Sequence, residues 1–177
     1  MGWKEFLEIK KKSCPNLVQT FYANLILDDA NVIHSRIGSV DGTLSVADIA
    51  HILVLHNEGF DIFFAQLNSF KLYPEGESNE SVSLLIHDDS NQALTLNDKI
   101  SYFTIPCQVL EKIIILNILL KSGEYGKARG CITLLIYYIK CSLSVNLPLL
   151  IFNNTTADNF EHRILTYGMV LLIFFEL

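Results

Sequence analysis

The sequence predicts a mainly α-helical protein, a single-domain helical bundle over residues 1–177 with one small β-hairpin near residues 32–44. Half of the 177 residues are hydrophobic and 18% are charged, compared with about 25% in typical globular proteins, so the chain can bury a sizeable core. Its length suits one domain. Apolar side chains recur at helical spacing along most of the chain, and one β-branched stretch precedes a turn signal.

Two amphipathic helices are predicted at the start of the chain. In residues 1–12 the large apolar side chains share one helical face: Trp3, Phe6, Leu7 and Ile9. In NLVQTFYANL, residues 16–25, apolar side chains occupy positions i+1, i+2, i+5, i+6 and i+9, which form one wide face. We therefore interpret this segment as a helix that packs on the core and not as a ligand-binding stripe.

A hairpin and a capped helix are predicted next. Residues 32–37 are β-branched and partly alternating, as in a strand, and Asp41-Gly42 supplies a hairpin turn because glycine readily adopts a positive φ. Ser45 suits a helix N-cap, with Asp48 placed to reach back to it. Residues 46–55 are then predicted to be helical, with three side chains directed inward: Ile49, Ile52 and Leu53.

The rest of the chain alternates apolar helices with loops. The predicted elements are, in order, a short helix at 59–70, a surface loop at 73–81, a helix at 107–120, a loop at 121–130, and helices at 131–142, 145–152 and 164–175. Pro148 falls in the first turn of its helix, where proline is tolerated. The predicted core takes residues from most of the helices: Phe21, Leu25, Ile49, Leu53, Leu116, Leu119, Leu135, Ile139 and Met169.

The charge and composition argue against nucleic-acid and membrane proteins. The net charge is −6, whereas a nucleic-acid domain usually carries a basic face, and we interpret the one basic cluster, residues 9–12, as a solvated helix face. The apolar runs are too short or too interrupted for the roughly 20 residues of a membrane-spanning helix. The first residues lack a signal-peptide pattern. We therefore expect an intracellular protein, nuclear or cytoplasmic, with reduced cysteines.

The sequence contains none of the common catalytic or metal-binding spacings. Its histidines include no His-x3-His pair, its cysteines form no CxxC, and GxSxG, phosphate-loop and GxGxxG patterns are absent. His87, Asp88 and Asp89 offer carboxylates that suit a divalent cation, but Asp-rich segments also form turns through local hydrogen bonds, and the turn is favoured. The sequence therefore predicts a non-enzyme with no catalytic, metal-binding or cofactor-binding residue and no cofactor.

Several stretches resemble a family of plant retroelement proteins, the plant transposon protein domain family. They are Trp3 with Phe6-Leu7, NLVQTFYANL at 16–25, GTLSVADIAHIL at 42–53, ARGCITLLIYYIKCSLSVNLPLLI at 128–151, and LTYGMVLLIFFE at 165–176, where Thr166 replaces the usual proline. The resemblance spans nearly the whole chain. It implies a transposon-derived domain of uncharacterised biochemical role, without established catalytic residues, and it suggests a nucleic-acid partner by analogy alone.

Three hypotheses about function follow. The first is a non-catalytic structural or interaction domain that works through protein partners or self-assembly. The second is a metal-dependent nuclease or transposase remnant that uses His87, Asp88 and Asp89. The third is a degenerate open reading frame without selected function, which the apolar final segment favours because it suggests a drifted copy truncated at its C-terminal end. The first and third hypotheses are preferred over the second.

Overall fold

The computed structural model describes residues 14–62, 86, 100–119 and 130–157. The chain divides into two compact units, which we call the first unit (Met1–Asn57 with Leu147–Leu177) and the second unit (Glu58–Asn146). Helices make up 58% of the described residues, and a small antiparallel sheet accompanies them. The predicted mainly helical class with a small β element is confirmed at this level, whereas the single bundle over residues 1–177 stays a prediction.

Helix α1 (Pro15–Ala23) opens the described part of the first unit and confirms the core-facing helix predicted there. Proline occupies its first turn, and three side chains of one face are buried: Val18, Phe21 and Tyr22. The helix is tied to a neighbouring strand by two hydrogen bonds. Ser35 Oγ donates to the Phe21 carbonyl over 2.8 Å in a buried position, and Asn24 Nδ2 donates to the Arg36 carbonyl over 2.7 Å.

A three-stranded antiparallel sheet follows, in the order β1 (Ile26–Leu27), β2 (Ile33–Ile37), β3 (Val40–Leu44). The hairpin of β2 and β3 confirms the predicted one, but its turn does not lie at Asp41-Gly42. Ile37 pairs with Val40, so Gly38 and Ser39 form the turn, and Gly38 has the positive φ, +62°, that such two-residue turns require.

The predicted turn is wrong because it would leave too little chain for a return strand. Asp41 and Gly42 lie inside β3, opposite Arg36 and Ser35. With the turn at 41–42, only two residues would remain before the N-cap at Ser45. Strand β1 was not predicted, since two residues carry no readable alternation.

Helix α2 (Val46–Leu53) begins as the sequence predicts. Ser45 Oγ accepts a hydrogen bond from the Asp48 amide over 3.2 Å, and the Asp48 carboxylate accepts one from the Ser45 amide over 2.8 Å. This is the reciprocal capping box. The helix buries Ile49, Ala50 and Leu53, while Ile52 is half-buried.

The helix ends two residues earlier than predicted, at a residue with left-handed backbone conformation. Val54 has φ 53° and ψ 43°. The Leu55 amide donates to the Ala50 carbonyl over 2.9 Å and the Val54 amide to the His51 carbonyl over 3.3 Å. Together these bonds form a Schellman motif, in which glycine is the usual left-handed residue.

Helix α5 (Leu147–Ala157) completes the described part of the first unit and packs against α2. Pro148 lies in its first turn, as predicted. Its apolar half is buried, and near its end the hydroxyl of Thr155 donates to the Ile151 carbonyl over 2.9 Å, which satisfies a buried polar group within the helix.

The second unit is described through two consecutive helical segments and one further helix. After a short 3₁₀ turn (Ile100–Tyr102), helix α3 (Ile105–Ile113) continues directly into a π-helical segment (Ile114–Leu119). Helix α4 (Gly130–Lys140) packs against both. Residues 132–138 of α4 are all buried, which is the pattern of a helix enclosed by protein on every side.

A close backbone contact joins the two ends of the second unit. Phe60 pairs with Val145 in an isolated parallel bridge, and its ring stacks on Tyr138 with the centroids 5.1 Å apart. Gly59, with φ +117°, approaches so closely that a β-carbon there would lie 2.7 Å from the Val145 carbonyl carbon. Glycine is therefore required at position 59 by both conformation and space.

The predicted core is confirmed where the periodicity is clear. Phe21, Ile49, Leu53 and Leu135 are buried, and Leu25 and Ile139 are half-buried. Leu116 was predicted wrongly, because it is 57% exposed. The reason is local, since Ile114, Ile115 and Ile118 take the inner side of the π-helical segment.

Other predictions lie outside the described residues. These are the helix at 1–12, nearly all of that at 59–70, the loops at 73–81 and 121–130, the helix at 164–175, and the side chains of Leu119 and Met169.

Candidate functional site

The one cluster that the sequence offered as a metal site, His87, Asp88 and Asp89, lies outside the described residues. Within the described ranges, no three His, Cys, Asp or Glu side chains come together in a way that would hold a metal ion. Three cysteines of this part of the chain carry free thiols, Cys14, Cys107 and Cys141, and of these Cys107 is buried.

A carboxylate and an imidazole meet in the first unit. His34 Nε2, on β2, donates to Asp28 Oδ2 over 2.7 Å. Asp28 Oδ1 accepts from the amides of Ala30 at 3.0 Å and Val32 at 2.8 Å. The hydrogen bond from His34, and then the one from Val32, lower the pKa of Asp28 below its ordinary value of 3.8.

These three bonds hold the loop between β1 and β2. Asp28 closes an Asx turn through Ala30, and its second oxygen fixes the first residues of β2. Both side chains are partly exposed, at the edge of the loop. We interpret this arrangement as a set of hydrogen bonds that stabilises the loop, and we assign it no catalytic or binding role.

The second unit presents an apolar helix surface to solvent. Four aliphatic side chains at spacings of four, four and three residues lie on one side of α3 and the start of the π-helical segment. We call this the α3 apolar face: Ile105 (74% exposed), Val109 (51%), Ile113 (36%) and Leu116 (57%). Tyr102, in the preceding turn, is also an exposed large side chain. This spacing is the one by which a helix meets another helix.

The opposite side of the same helix is buried and contains its acid. Five buried residues follow one another on that side: Cys107, Glu111, Ile114, Ile115 and Ile118. Glu111 is 1% exposed, and its Oε1 atom has no hydrogen-bond partner. Burial raises the pKa of Glu111, and the charge of neighbouring Lys112 opposes this effect.

Helix α3 therefore inverts the usual polarity of a surface helix. An ordinary amphipathic helix buries its aliphatic side and exposes its carboxylates, whereas α3 buries Glu111 and exposes its α3 apolar face. This orientation of the helix was not predicted from the sequence. The available signal was the distribution of apolar residues in 105–118, which surround the helix and do not form one stripe.

No family model, no curated protein and no solved structure matches this chain.

Across the described ranges, none of the helices combines the length and the apolar character that crossing a bilayer takes.

Proposed function

We propose that this chain is a non-catalytic interaction domain that self-associates, with the α3 apolar face of one copy packed against the same face of a second copy. The observation that supports this proposal is the outward position of four aliphatic side chains on a helix whose own acid is buried. Contiguous exposed apolar surface is typical of interaction sites. The proposal does not depend on the resemblance to the plant transposon family, which stays a prediction.

The spacing of the face supports a second copy as its occupant. In an antiparallel, twofold-symmetric pair, each contact of a residue i with a residue j of the second copy is repeated as a contact of j with i, so the surface must be self-complementary. With the axis near residue 111, Ile105 faces Leu116 and Val109 faces Ile113 of the second copy. All four aliphatic side chains then have an aliphatic partner.

The expected affinity is modest. The exposed fractions of the four side chains together equal about two fully exposed aliphatic side chains per copy. At about 1.5–3 kcal/mol for each such side chain, a pair gains about 6–12 kcal/mol from burial. Association costs about 4–15 kcal/mol in lost translational and rotational freedom, and the ordering of interface side chains adds to this cost. We therefore expect reversible, concentration-dependent pairing and not an obligate dimer.

Salt should strengthen the pairing. Besides Glu111, Lys112 is the only charged residue in residues 105–116. It is exposed, and it lies close to the proposed axis. Two lysine side chains would thus approach each other in the pair, and salt screens such repulsion between exposed charges.

The test is sedimentation velocity of the full chain over a wide concentration range. The wild type should move towards twice the monomer mass as concentration rises, and the double variant Ile105→Glu, Val109→Glu should stay monomeric. Both substitutions are at exposed positions, so folding should be retained, which circular dichroism checks. Val54→Glu, another exposed valine but in the first unit, is the matched control and should pair like the wild type. A wild type that stays monomeric throughout, or a double variant that pairs as well as the wild type, would refute the proposal.

A further inference from the structure

Among the described residues of the second unit, Glu111 is the only carboxylate-bearing residue that is buried. It lies on the inner side of α3, one turn after Cys107 and one turn before the buried Ile114 and Ile115. Its Oε1 atom accepts no hydrogen bond. An ionised carboxylate in such a place loses its hydration without a compensating partner, whereas a neutral carboxylic acid loses much less.

Among the described residues, the charged and titratable groups of α3, the π-helical segment and α4 offer Glu111 little compensation. On its own helix, Lys112 is exposed and Cys107 is a buried free thiol. The π-helical segment contains no ionisable residue. Helix α4 carries Tyr137, Tyr138 and Lys140 in addition to Cys131, whose side chain is outside the described set. Burial raises the pKa of Tyr138, so this phenol is neutral at physiological pH.

We propose that the second unit folds with Glu111 as a neutral carboxylic acid, and that ionisation of this side chain loosens α3 from α4. Proton binding at one buried position thereby controls the stability of the helix that carries the α3 apolar face. The proposal concerns the inner side of α3 and holds whether or not the outer side binds a second copy.

The sign of the pH effect follows from the direction of the shift. Burial raises the pKa of Glu111 in the folded chain above its ordinary value of 4.5. The folded unit therefore binds a proton more tightly than the unfolded one. The stabilisation is fully present below the unfolded pKa and is lost as pH rises through the folded pKa. Each unit by which the pKa is raised corresponds to a tenfold change in the equilibrium between closed and loosened α3.

The first experiment is hydrogen exchange by mass spectrometry on the full chain, at about pH 5 and about pH 8, corrected for the intrinsic pH dependence of exchange. In the wild type, amides of residues 105–113 should be measurably less protected at the higher pH than at the lower pH, because the pKa of Glu111 is raised in the folded unit and its ionisation therefore disfavours the closed helix. Glu111→Gln is isosteric with the neutral acid and should keep its protection at both pH values. Glu58→Gln, at an exposed position of the same unit, should behave like the wild type.

The second experiment keeps the proposal testable if the glutamine variant fails to fold. Carbon-13 NMR of the wild type, labelled at glutamate carboxyl groups, follows the titration of each side chain directly. One carboxyl resonance should titrate at a higher pH than the others. It can be assigned to Glu111 by spin labelling or by its loss in the variant. A Glu111 signal that titrates together with the exposed glutamates, or equal loss of α3 protection in wild type and Glu111→Gln, would overturn the proposal.

Discussion

Replacing Val54 by glycine should stabilise the first unit. Val54 ends α2 with φ 53° and ψ 43°, the left-handed conformation that β-branched residues rarely adopt. It holds this conformation because the Schellman bonds from the Leu55 and Val54 amides to the Ala50 and His51 carbonyls require it. Its side chain is 77% exposed, so little packing is lost when it is removed.

The magnitude follows from two opposing effects. A left-handed conformation costs an ordinary residue about 1–2 kcal/mol, and glycine avoids this cost. Glycine also loses more backbone freedom on folding, which costs about 0.5–1 kcal/mol. We therefore expect Val54→Gly to raise the free energy of unfolding by about 0.5–1 kcal/mol.

The assay is urea denaturation of the full chain followed by far-ultraviolet circular dichroism, with the midpoint compared at constant slope. The control introduces the same residue where the conformation is helical. Ala47 is an exposed position of α2, and Ala47→Gly should lower the free energy of unfolding by about 0.5–1 kcal/mol. The two glycine variants should thus shift the midpoint in opposite directions, and a shift to lower urea for both would refute the proposed strain at position 54.

Three further substitutions test the packing and the loop. Phe21→Asp should destabilise the chain by at least about 3 kcal/mol, because it puts an unpaired charge in the core, and an unchanged thermal melt would contradict this. Gly59→Ala should cost about 1–3 kcal/mol, because the new methyl group meets the Val145 backbone at 2.7 Å; exchange protection at residue 60 reports it. Asp28→Asn should lower the melting temperature near neutral pH. Since the pKa of Asp28 is lowered, the difference from the wild type should disappear as pH falls through that pKa.

The features that the sequence predicted correctly depend on residues close together in the chain. The Ser45–Asp48 capping box joins side chains three positions apart, and the buried face of α1 follows from spacing alone. Pro148 marks the start of α5 because its ring fixes the backbone angle φ and it has no amide hydrogen to donate, which a helix tolerates only in its first turn. In each case the competing conformations differ by local sterics or local hydrogen bonds, which the sequence carries directly.

The features that were not predicted from the sequence depend on a choice between alternative structures that the local sequence suits about equally well. Both Gly38 and Gly42 suit a hairpin turn, and the choice between them depends on how many residues remain to pair before Ser45. The bond from His34 to Asp28 joins a strand to a loop across six residues. No periodicity in the sequence indicates this bond, because its geometry depends on the pairing of β1 with β2.

Helix α3 shows why apolar periodicity cannot decide which face is buried when apolar residues surround the helix. A half-turn rotation would bury the α3 apolar face and expose Glu111. The observed orientation, which buries Glu111, can be explained by comparing the free energies of burial. The inner side buries Ile114, Ile115 and Ile118, worth about 5–9 kcal/mol at about 1.5–3 kcal/mol each, whereas a buried, unpartnered polar group costs about 1–3 kcal/mol. Rotation would also bury the exposed part of the α3 apolar face, which equals about two aliphatic side chains or about 3–6 kcal/mol. The net preference for burying the isoleucines is therefore small, and it is compatible with the cost of burying the acid only when the acid is neutral. Because ionisation makes that cost much larger, the protonation of Glu111 and the orientation of α3 depend on each other.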